Sequence, residues 1–415
     1  MAKRTIPLAR LKVGMYLIGV DRSWLQTPFL RHKFKIKDQS EIDALRHAGI
    51  AEVTIDTEQG LDVADHEPSR AMVCETVLVK NSAAPTPEAS LAGSSSRLPA
   101  AVLAENLSRA TQRRAEWVHR LNGLFEQTRI TGLVQYDAVC QVIDEIIGDV
   151  LDRQAACYAA IGLRQSDPTM HEHGLTVCTL SVMLGQALDY SRERLQRLGI
   201  AGLLHDIGLT RLPQNIVKRP AKMSPAQQAL YDSHTTQGST ILEKSGSSDQ
   251  EILAIVKGHH HLTAQIGETG VSSAVHHESL RLVGIIDQYD ELVTGQAGLT
   301  PMSSHQALTQ LYQRYRADED LLQVVSCMIR AIGVYPLYSV VGLSSGELAV
   351  IGAITPGKSH LPLLYICKDQ SGNTCLPPVS LDLIHEPEGG RTIRDVRNAG
   401  REGLDVEAIL RQAAA

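Results

Sequence analysis

Apolar residues recur at helical spacing through the middle of the chain, from about residue 101 to residue 335. Helices with one apolar face produce this period, because that face packs against a core while the opposite face meets water. The sequence therefore predicts a mainly α protein with an all-helical central domain over residues 101–335. Two runs show the period well: Val142, Ile146, Ile147 and Val150, and then Val177, Leu180, Val182, Leu184 and Leu188.

The first 75 residues follow a different pattern, with short strand-like runs in place of long helical ones. Val13–Val20 is a continuous apolar run, Phe34–Lys37 alternates apolar and polar residues, and Val53–Ile55 is β-branched. The segment Asp38–Ala48 has helical spacing and is followed by a glycine, a residue that commonly ends a helix. These patterns predict a small accessory domain of α/β or β type over residues 1–75.

Low-complexity composition separates these two parts, and strand-like patterns return after residue 335. Residues 81–97 are rich in Ser, Ala, Pro and Gly, which predicts a flexible linker over residues 76–100. Near the end, Val340–Leu343 and Leu348–Ile351 flank a Ser-Ser-Gly-Glu sequence typical of a hairpin turn. We therefore expect a short C-terminal β appendage and tail over residues 336–415.

Charge is unevenly distributed along this chain of 415 residues, whose net charge is −6. The first 50 residues contain ten Lys and Arg against four Asp and Glu, so the accessory domain is basic. A basic domain can bind an acidic protein, nucleic acid or anionic lipid, or it can simply be well solvated. Aromatic residues are only 4% of the chain and do not interleave with basic ones, so we expect this domain to contact a protein partner and no DNA.

No apolar run in the sequence reaches the roughly 20 residues that a membrane-spanning helix needs. The N-terminal residues also lack the apolar core of a secretory signal. The expected location is therefore the cytoplasm, with no membrane span.

The adjacent residues His205 and Asp206 follow an apolar helical run and precede Ile207 and Gly208. Neighbouring residues on a helix point about 100° apart, so both side chains converge on one point only at a helix end or a kink. An imidazole and a carboxylate that meet there suit a divalent metal better than they suit a dry core. The pair by itself is weak evidence, because a capping role explains most such pairs.

Five further residues with metal-ligand chemistry lie at or near the ends of predicted elements. Taken alone, most of them have an ordinary explanation, either a surface position or chance, whereas a carboxylate such as Asp287 after an apolar run is costly to bury unless it is paired or binds a metal. Together they form a nitrogen- and oxygen-rich set without a thiolate. Such a set suits Fe, Mn, Ni, Zn or Co rather than Mg alone. Seven ligands exceed the needs of one ion and suit two divalent ions that share a carboxylate. The full set is His173, His205, Asp206, His234, His259, His260 and Asp287.

In their order along the chain these residues resemble the HD superfamily of metal-dependent phosphohydrolases. The resemblance is specifically to the HD-GYP branch, which hydrolyses the bacterial second messenger cyclic di-GMP. It extends to the start of the chain, which is similar to the small domain that often precedes HD-GYP modules, and to the tail after Tyr335, and it excludes the linker. The matching central segments are His173–Val177, Gly202–Gly208, Pro213–Pro220, His234, His259–His260 and Arg281–Asp290.

The resemblance implies a division of the ligand set between two ions. One ion would be held by His173, His205, Asp206 and Asp287, and the second by His234, His259 and His260, with Asp206 as the bridge. A hydroxide between the ions would attack phosphorus in line, and His205 and Asp206 would be the catalytic pair. The resemblance implies that the substrate is a cyclic dinucleotide. A homodimer is the oligomeric state that we consider for this chain.

Two features depart from the family pattern. Leu209 stands where the family has a lysine positioned for a substrate phosphate, so a cation that stabilises transition-state charge is missing. After His259–His260 the sequence continues His261-Leu-Thr-Ala, and the Gly-Tyr-Pro loop that frames the nucleotide is degenerate. A third metal, present in some relatives, would need an extra carboxylate, for which Asp144 and Glu145 are candidates.

Three functions are compatible with these features. The first is a metal-dependent phosphodiesterase that hydrolyses cyclic di-GMP, with attenuated activity. The second is a degenerate, weakly active or inactive metal-binding module that acts by binding a nucleotide or a protein and keeps its ions for stability. The third is a phosphatase or nuclease for a different phosphoester.

Overall fold

The chain divides into two compact units, Met1–Ser94 and Ser95–Ala415. Most of the predicted linker, residues 76–100, lies outside the residues that the structure describes, and the predicted domain boundaries stay predictions. The structure, a computed structural model, describes residues 3–20, 34–37, 39–47, 50–61, 98–162, 169–217, 223–263, 274–296, 300–333, 335–355, 360–387, 390–397, 399–400 and 402–414.

The described part of the first unit contains a four-stranded antiparallel sheet and one helix. The strands are β1 (Lys3–Pro7), β2 (Tyr16–Val20), β3 (Phe34–Lys35) and β4 (Glu52–Asp56), in the order β1-β4-β2-β3, and the helix is α1 (Gln39–His47). Side chains from one sheet face share a core with α1, where Leu17, Leu45 and Ile55 are fully buried. This is the small α/β unit that the sequence predicts. Strand β2 begins later than Val13 because Gly14 turns the chain there with φ +92°.

The second unit is mainly helical, as the sequence predicts. Among the described residues, none of its helices has both the length and the apolar character that crossing a lipid bilayer requires. The described helices are α2 (Ala100–Thr131), α3 (Tyr136–Gly162), α4 (Met170–Ala187), α5 (Arg192–Leu204), α6 (Gln214–Val217), α7 (Pro225–Asp232), α8 (His234–Lys244), α9 (Gln250–Gly258), α10 (Ala274–Thr294), α11 (Ser304–Tyr315), α12 (Glu319–Ile332) and α13 (Val406–Ala413), and a 3-10 helix at Ile207–Arg211.

Helix α4 is the central helix of this unit. Every residue from His173 to Gly185 is buried, because α3, α5, α10 and α12 all contact this helix. The predicted apolar series on α3, from Val142 to Val150, faces the same interior, and its four members have no exposed surface. His173 is therefore held inside the helical layer at the first turn of α4.

A five-stranded antiparallel sheet follows the helices. Its strands are β5 (Val340–Leu343), β6 (Leu348–Ala353), β7 (Leu363–Lys368), β8 (Thr374–Asp382) and β9 (Ile393–Arg397), in the order β8-β7-β6-β5-β9. The predicted hairpin is confirmed, since β5 and β6 pair on either side of the Ser-Ser-Gly-Glu turn. Val340 and Val350 on one sheet face share a core with Leu107 of α2 and Leu410 of α13. The sheet thus lies in the same compact unit as the helices.

Two glycines allow very close approach between the elements that surround the end of α5. A Cβ atom on Gly208 would lie 1.9 Å from the carbonyl oxygen of His234. A Cβ atom on Gly284 of α10 would lie 2.4 Å from the carbonyl oxygen of His259. Contacts this short leave no room for a side chain, so these glycines set the distance between elements that carry members of the predicted ligand set.

Replacement of Gly208 by alanine is expected to lower the free energy of unfolding by about 1–3 kcal/mol, because the added methyl group overpacks the contact. Urea unfolding of the purified chain measures the effect. Gly148→Ala on α3 is the matched control, since its Cβ would meet nothing within 4 Å. That change should leave stability equal or raise it by up to about 1 kcal/mol. Equal effects of the two substitutions would contradict the close approach.

Candidate metal centre

The end of α5 directs His205 and Asp206 to one point. His205 is the C-terminal cap of the helix, and Asp206 leaves the helical backbone with φ −98° and ψ 7°. Because the helix ends here, the two side chains no longer diverge by the helical angle of about 100°. His205 Nε2 lies 3.6 Å from Asp206 Oδ2. The sequence prediction that this pair lies at a helix end is confirmed.

Three rings of the set, those of His205, His234 and His259, are oriented by carbonyl groups at helix C-termini. Each ring places Nδ1 2.6–3.0 Å from the carbonyl oxygen three residues earlier in the chain. The last carbonyls of a helix have no intrahelical partner and are available to accept these hydrogen bonds. A carbonyl only accepts, so the proton is on Nδ1 and the lone pair of Nε2 faces the centre.

One ligand group consists of Asp206, His234, His259 and His260, whose ligand atoms all lie within 4.8 Å of one another. Asp206 Oδ1 lies 3.1 Å from His234 Nε2 and 3.6 Å from His259 Nε2. His260 is the exposed member, and its ring centroid lies 4.1 Å from that of His259. Nitrogen and oxygen donors from three separate elements thus face one small volume.

The other ligand group consists of His173, His205 and Asp287, all buried, whose ligand atoms also lie within 4.8 Å of one another. Asp287 Oδ1 lies 3.0 Å from His173 Nε2 and 3.6 Å from His205 Nε2. Asp206 connects the two groups, because its Oδ1 faces the first group and its Oδ2 faces His205. The structure therefore brings all seven sequence-predicted residues together, in two groups joined by one carboxylate.

The arrangement of these ligand atoms is suited to binding cations, because several of them cannot form hydrogen bonds with one another. The Nε2 atoms of His234 and His259 direct lone pairs toward each other across 3.4 Å. His205 Nε2 is buried and has no hydrogen-bond partner among the described residues. Buried polar atoms normally have a partner, and a divalent ion would supply one to each of these nitrogens. The two groups contain imidazole and carboxylate without thiolate, which suits Fe, Mn, Ni or Zn.

The charges of the site lower the pKa of two carboxyl groups and raise the pKa of two imidazoles, those of His173 and His205. Burial raises the pKa of Asp287, but the hydrogen bond from His173 and the neighbouring imidazole of His205 bring it well below its ordinary value. Burial also raises the pKa of Asp206, but the neighbouring imidazoles of His205, His234 and His259 together bring it well below its ordinary value. Burial lowers the pKa of His173, but hydrogen bonds to Asp287 and Asp290 raise it well above the ordinary value. A site that draws a proton onto a buried imidazole attracts a divalent ion for the same electrostatic reason.

The first turn of α4 is fixed through both its backbone and its side chains. Thr169 precedes the helix, and its N–H donates to Glu172 Oε2 at 2.9 Å as part of a capping box. His173 Nδ1 donates to Asp290 Oδ2 at 2.7 Å. Sequence reasoning assigned Asp290 no role, although its three-residue spacing from Asp287 places both carboxylates on one face of α10.

Leu209, where the family has a lysine, lies in a small apolar cluster. It is 6% exposed and belongs to one core with Leu212, Ile216 and Tyr231. The ring of Tyr231 lies 4.9 Å from that of His234, so the cluster forms an apolar wall beside one ligand group. Position 209 therefore contributes packing to the site and no positive charge.

Two further sequence expectations concern the surroundings of the centre. Residues 264–273, which follow the histidine pair and include most of the degenerate loop, lie outside the described residues. Glu145 accepts hydrogen bonds from Arg113, Arg120 and a tryptophan of α2, and Asp144 lies 3.4 Å from Arg192. Neither carboxylate belongs to a ligand group that the described residues form, so no third group arises from them.

Family models match two parts of the chain. Residues 3–139 match a domain of unknown function (DUF3391), and residues 159–321 match the HD domain. The HD match contains all seven clustered residues. The other match extends past the predicted boundary at residue 75.

Curated proteins that resemble the chain are named as cyclic di-GMP phosphodiesterases. One from Pseudomonas aeruginosa is 28% identical over 357 residues, which cover 85% of this chain and 81% of the relative. One from Thermotoga maritima is 24% identical and covers 35% of this chain and 40% of the relative. One from Vibrio cholerae, named a probable cyclic di-GMP phosphodiesterase, is 29% identical over 39% of this chain and 41% of the relative.

A solved structure is also similar at low identity. It is an HDG"Y"P protein from Bdellovibrio bacteriovorus, with 16% identity, a TM-score of 0.44, and coverage of 80% of this chain and 100% of that one. The HD domain match and the curated relatives are the findings that bear on the family. On these findings the chain contains an HD domain over residues 159–321 and is similar to proteins named as cyclic di-GMP phosphodiesterases.

Proposed function

We propose that the chain is a phosphodiesterase that hydrolyses cyclic di-GMP at a two-metal centre. The observation that carries this proposal is the pair of ligand groups joined by the Asp206 carboxylate. The names of the curated relatives support the substrate, and the HD domain over residues 159–321 supports the reaction class.

The chain's own residues prepare the site for this chemistry. Bound divalent ions would lower the pKa of a water toward neutrality and neutralise charge on the phosphoryl group. Helix-end carbonyls hold three imidazoles with Nδ1 protonated, which leaves each Nε2 able to coordinate. Asp206 and Asp287, whose pKa values are lowered, stay ionised at neutral pH. One ion would be held by His173, His205, Asp206 and Asp287, and the other by Asp206, His234, His259 and His260.

The two least buried members of the set, Asp206 and His260, indicate where a phosphodiester reaches the centre. The His205 side chain has no exposed surface and that of Asp287 is 3% exposed, whereas that of Asp206 is 13% exposed. His260 is exposed outright. The bridging carboxylate and His260 therefore mark the open side, from which the two ions would meet a phosphate oxygen.

The burial of Leu209 favours a second candidate function, a degenerate metal-binding module that acts by binding a nucleotide or a protein. An apolar residue at this position leaves one phosphate contact unmade, and a single preorganised donor is worth about 100-fold or more in rate. The module would then keep its ions because they stabilise the fold. Measured turnover separates the two candidates.

The remaining parts of the proposal concern the setting of the enzyme. We propose that the basic N-terminal unit contacts signalling proteins. We also propose that the chain forms a homodimer and that it is located in the cytoplasm. The proposed substrate, a cyclic dinucleotide, carries two phosphodiesters, so each molecule offers two bonds for hydrolysis.

The variants His205→Ala and Asp206→Ala are expected to lower turnover of cyclic di-GMP by at least about 100-fold, because each loses a ligand of the centre. Both should also bind less metal than the parent chain, which is expected to carry two ions per chain after loading with Mn²⁺. Elemental analysis and product chromatography on the same preparations provide the two readouts.

His119→Ala is the control for this pair, because His119 is an exposed histidine of α2 that belongs to neither ligand group. It should keep both the metal content and the turnover of the parent chain. A parent chain that binds two ions and turns over no cyclic dinucleotide would contradict the proposed enzyme and favour the metal-binding module.

Leu209→Lys is expected to lower the free energy of unfolding by about 2 kcal/mol without raising turnover, because the new ammonium group enters an apolar cluster. Leu209→Met keeps the volume and the apolar character of the site and should cost less than about 1.5 kcal/mol. Unfolding by urea and steady-state assays of both variants check this. A lysine variant with parent-like stability and faster turnover would show that position 209 faces the substrate.

A further inference from the structure

The rings of the ligand set are oriented in two different ways. His205, His234 and His259 each donate from Nδ1 to a carbonyl oxygen near the C-terminal end of the helix that precedes them (α5, α7 and α9), at 2.6–3.0 Å. His173 donates from Nδ1 to a carboxylate, Asp290 Oδ2, at 2.7 Å. Asp290 comes from a different helix, α10, and lies 117 residues further along the chain.

The position of His173 in its helix explains this difference. His173 lies in the first turn of α4, where the unpaired backbone groups are N–H donors. The carbonyls of that turn accept hydrogen bonds from within the helix, so an Nδ1–H donor there needs an acceptor from another element. Asp290 supplies one from the interior, since it is 1% exposed.

We infer that Asp290 is a positioning residue of the metal centre, which holds the His173 ring so that Nε2 faces the ion. Asp290 follows Asp287 by three residues and lies on the same face of α10, so the two carboxylates contact opposite nitrogens of one ring. Asp287 is then free to coordinate while Asp290 keeps the ring in place. This inference rests on the metal centre of the proposed function and does not depend on its substrate.

The carboxylate does more than a neutral acceptor would. It increases the basicity of the ring nitrogen that faces the ion, because its negative charge stabilises positive charge on the imidazole. It also adds a third buried carboxylate, beside those of Asp206 and Asp287, to balance the charge of two divalent ions. Loss of such an outer partner typically weakens metal affinity by about 10- to 100-fold.

The test is Zn²⁺ binding by the full-length chain, measured by competition with a chromophoric chelator. Asp290→Ala should weaken one of the two Zn²⁺ sites, the one with His173, by about 10- to 100-fold and leave the other unchanged. Asp290→Asn should weaken it less, because the amide oxygen still accepts from Nδ1 while the charge is lost. Turnover is not needed as a readout. The same selective loss of affinity in a chain that binds two ions without hydrolysis would still support the inference.

Thr294→Val is the matched control, because Thr294 is buried on α10 and its hydroxyl donates to the backbone carbonyl of Asp290 at 2.6 Å. It removes a hydrogen bond from the same helix and should leave both Zn²⁺ affinities unchanged. Unfolding of the metal-free variants shows whether each still folds. Unchanged affinity in folded Asp290→Asn and Asp290→Ala would overturn the inference, and so would an equal loss at both sites.

Discussion

Buried negative charge at the end of α5 is the constraint on which the rest of the centre depends. Asp206 and Asp287 lie in the interior, where an ionised carboxylate is costly unless positive charge or strong donors surround it. The carboxylates of Asp287 and Asp290 raise the pKa of His173, so this histidine supplies part of that positive charge. Divalent ions would supply the rest. Metal binding and the packing of α4, α5 and α10 would then stabilise one another.

Helix ends provide the geometry that this charge requires. A terminal carbonyl orients an imidazole without help from another side chain, and a helix that stops at His205 lets Asp206 turn back toward the same point. Glycines allow the elements to close around it, as at Gly174, where a Cβ atom would lie 2.4 Å from the carbonyl oxygen of Leu203. His173 is at a helix start and depends instead on the carboxylate of Asp290.

Much of this could be predicted from the sequence. Helical periodicity predicted the central layer, and the resemblance of the His-Asp order to a known family predicted which residues meet, although their roles as ligands stay predictions. Three features could not be read from the chain. Asp290 looks like any polar helix residue until α10 is placed against α4. Leu209 was recognised as a missing lysine, but only packing shows that it belongs to an apolar cluster. The need for glycine at position 208 becomes visible only in the fold, because the carbonyl group that leaves no room for a side chain lies 26 residues away in the chain.

The central claim is that two ions share the Asp206 carboxylate, and anomalous diffraction at a metal absorption edge tests it most directly. Crystals of the metal-loaded chain should show two peaks about 3.5–4 Å apart. One peak should lie among Asp206, His234 and His259, and the other among His173, His205 and Asp287. A single peak, or peaks that lie away from these side chains, would contradict the account.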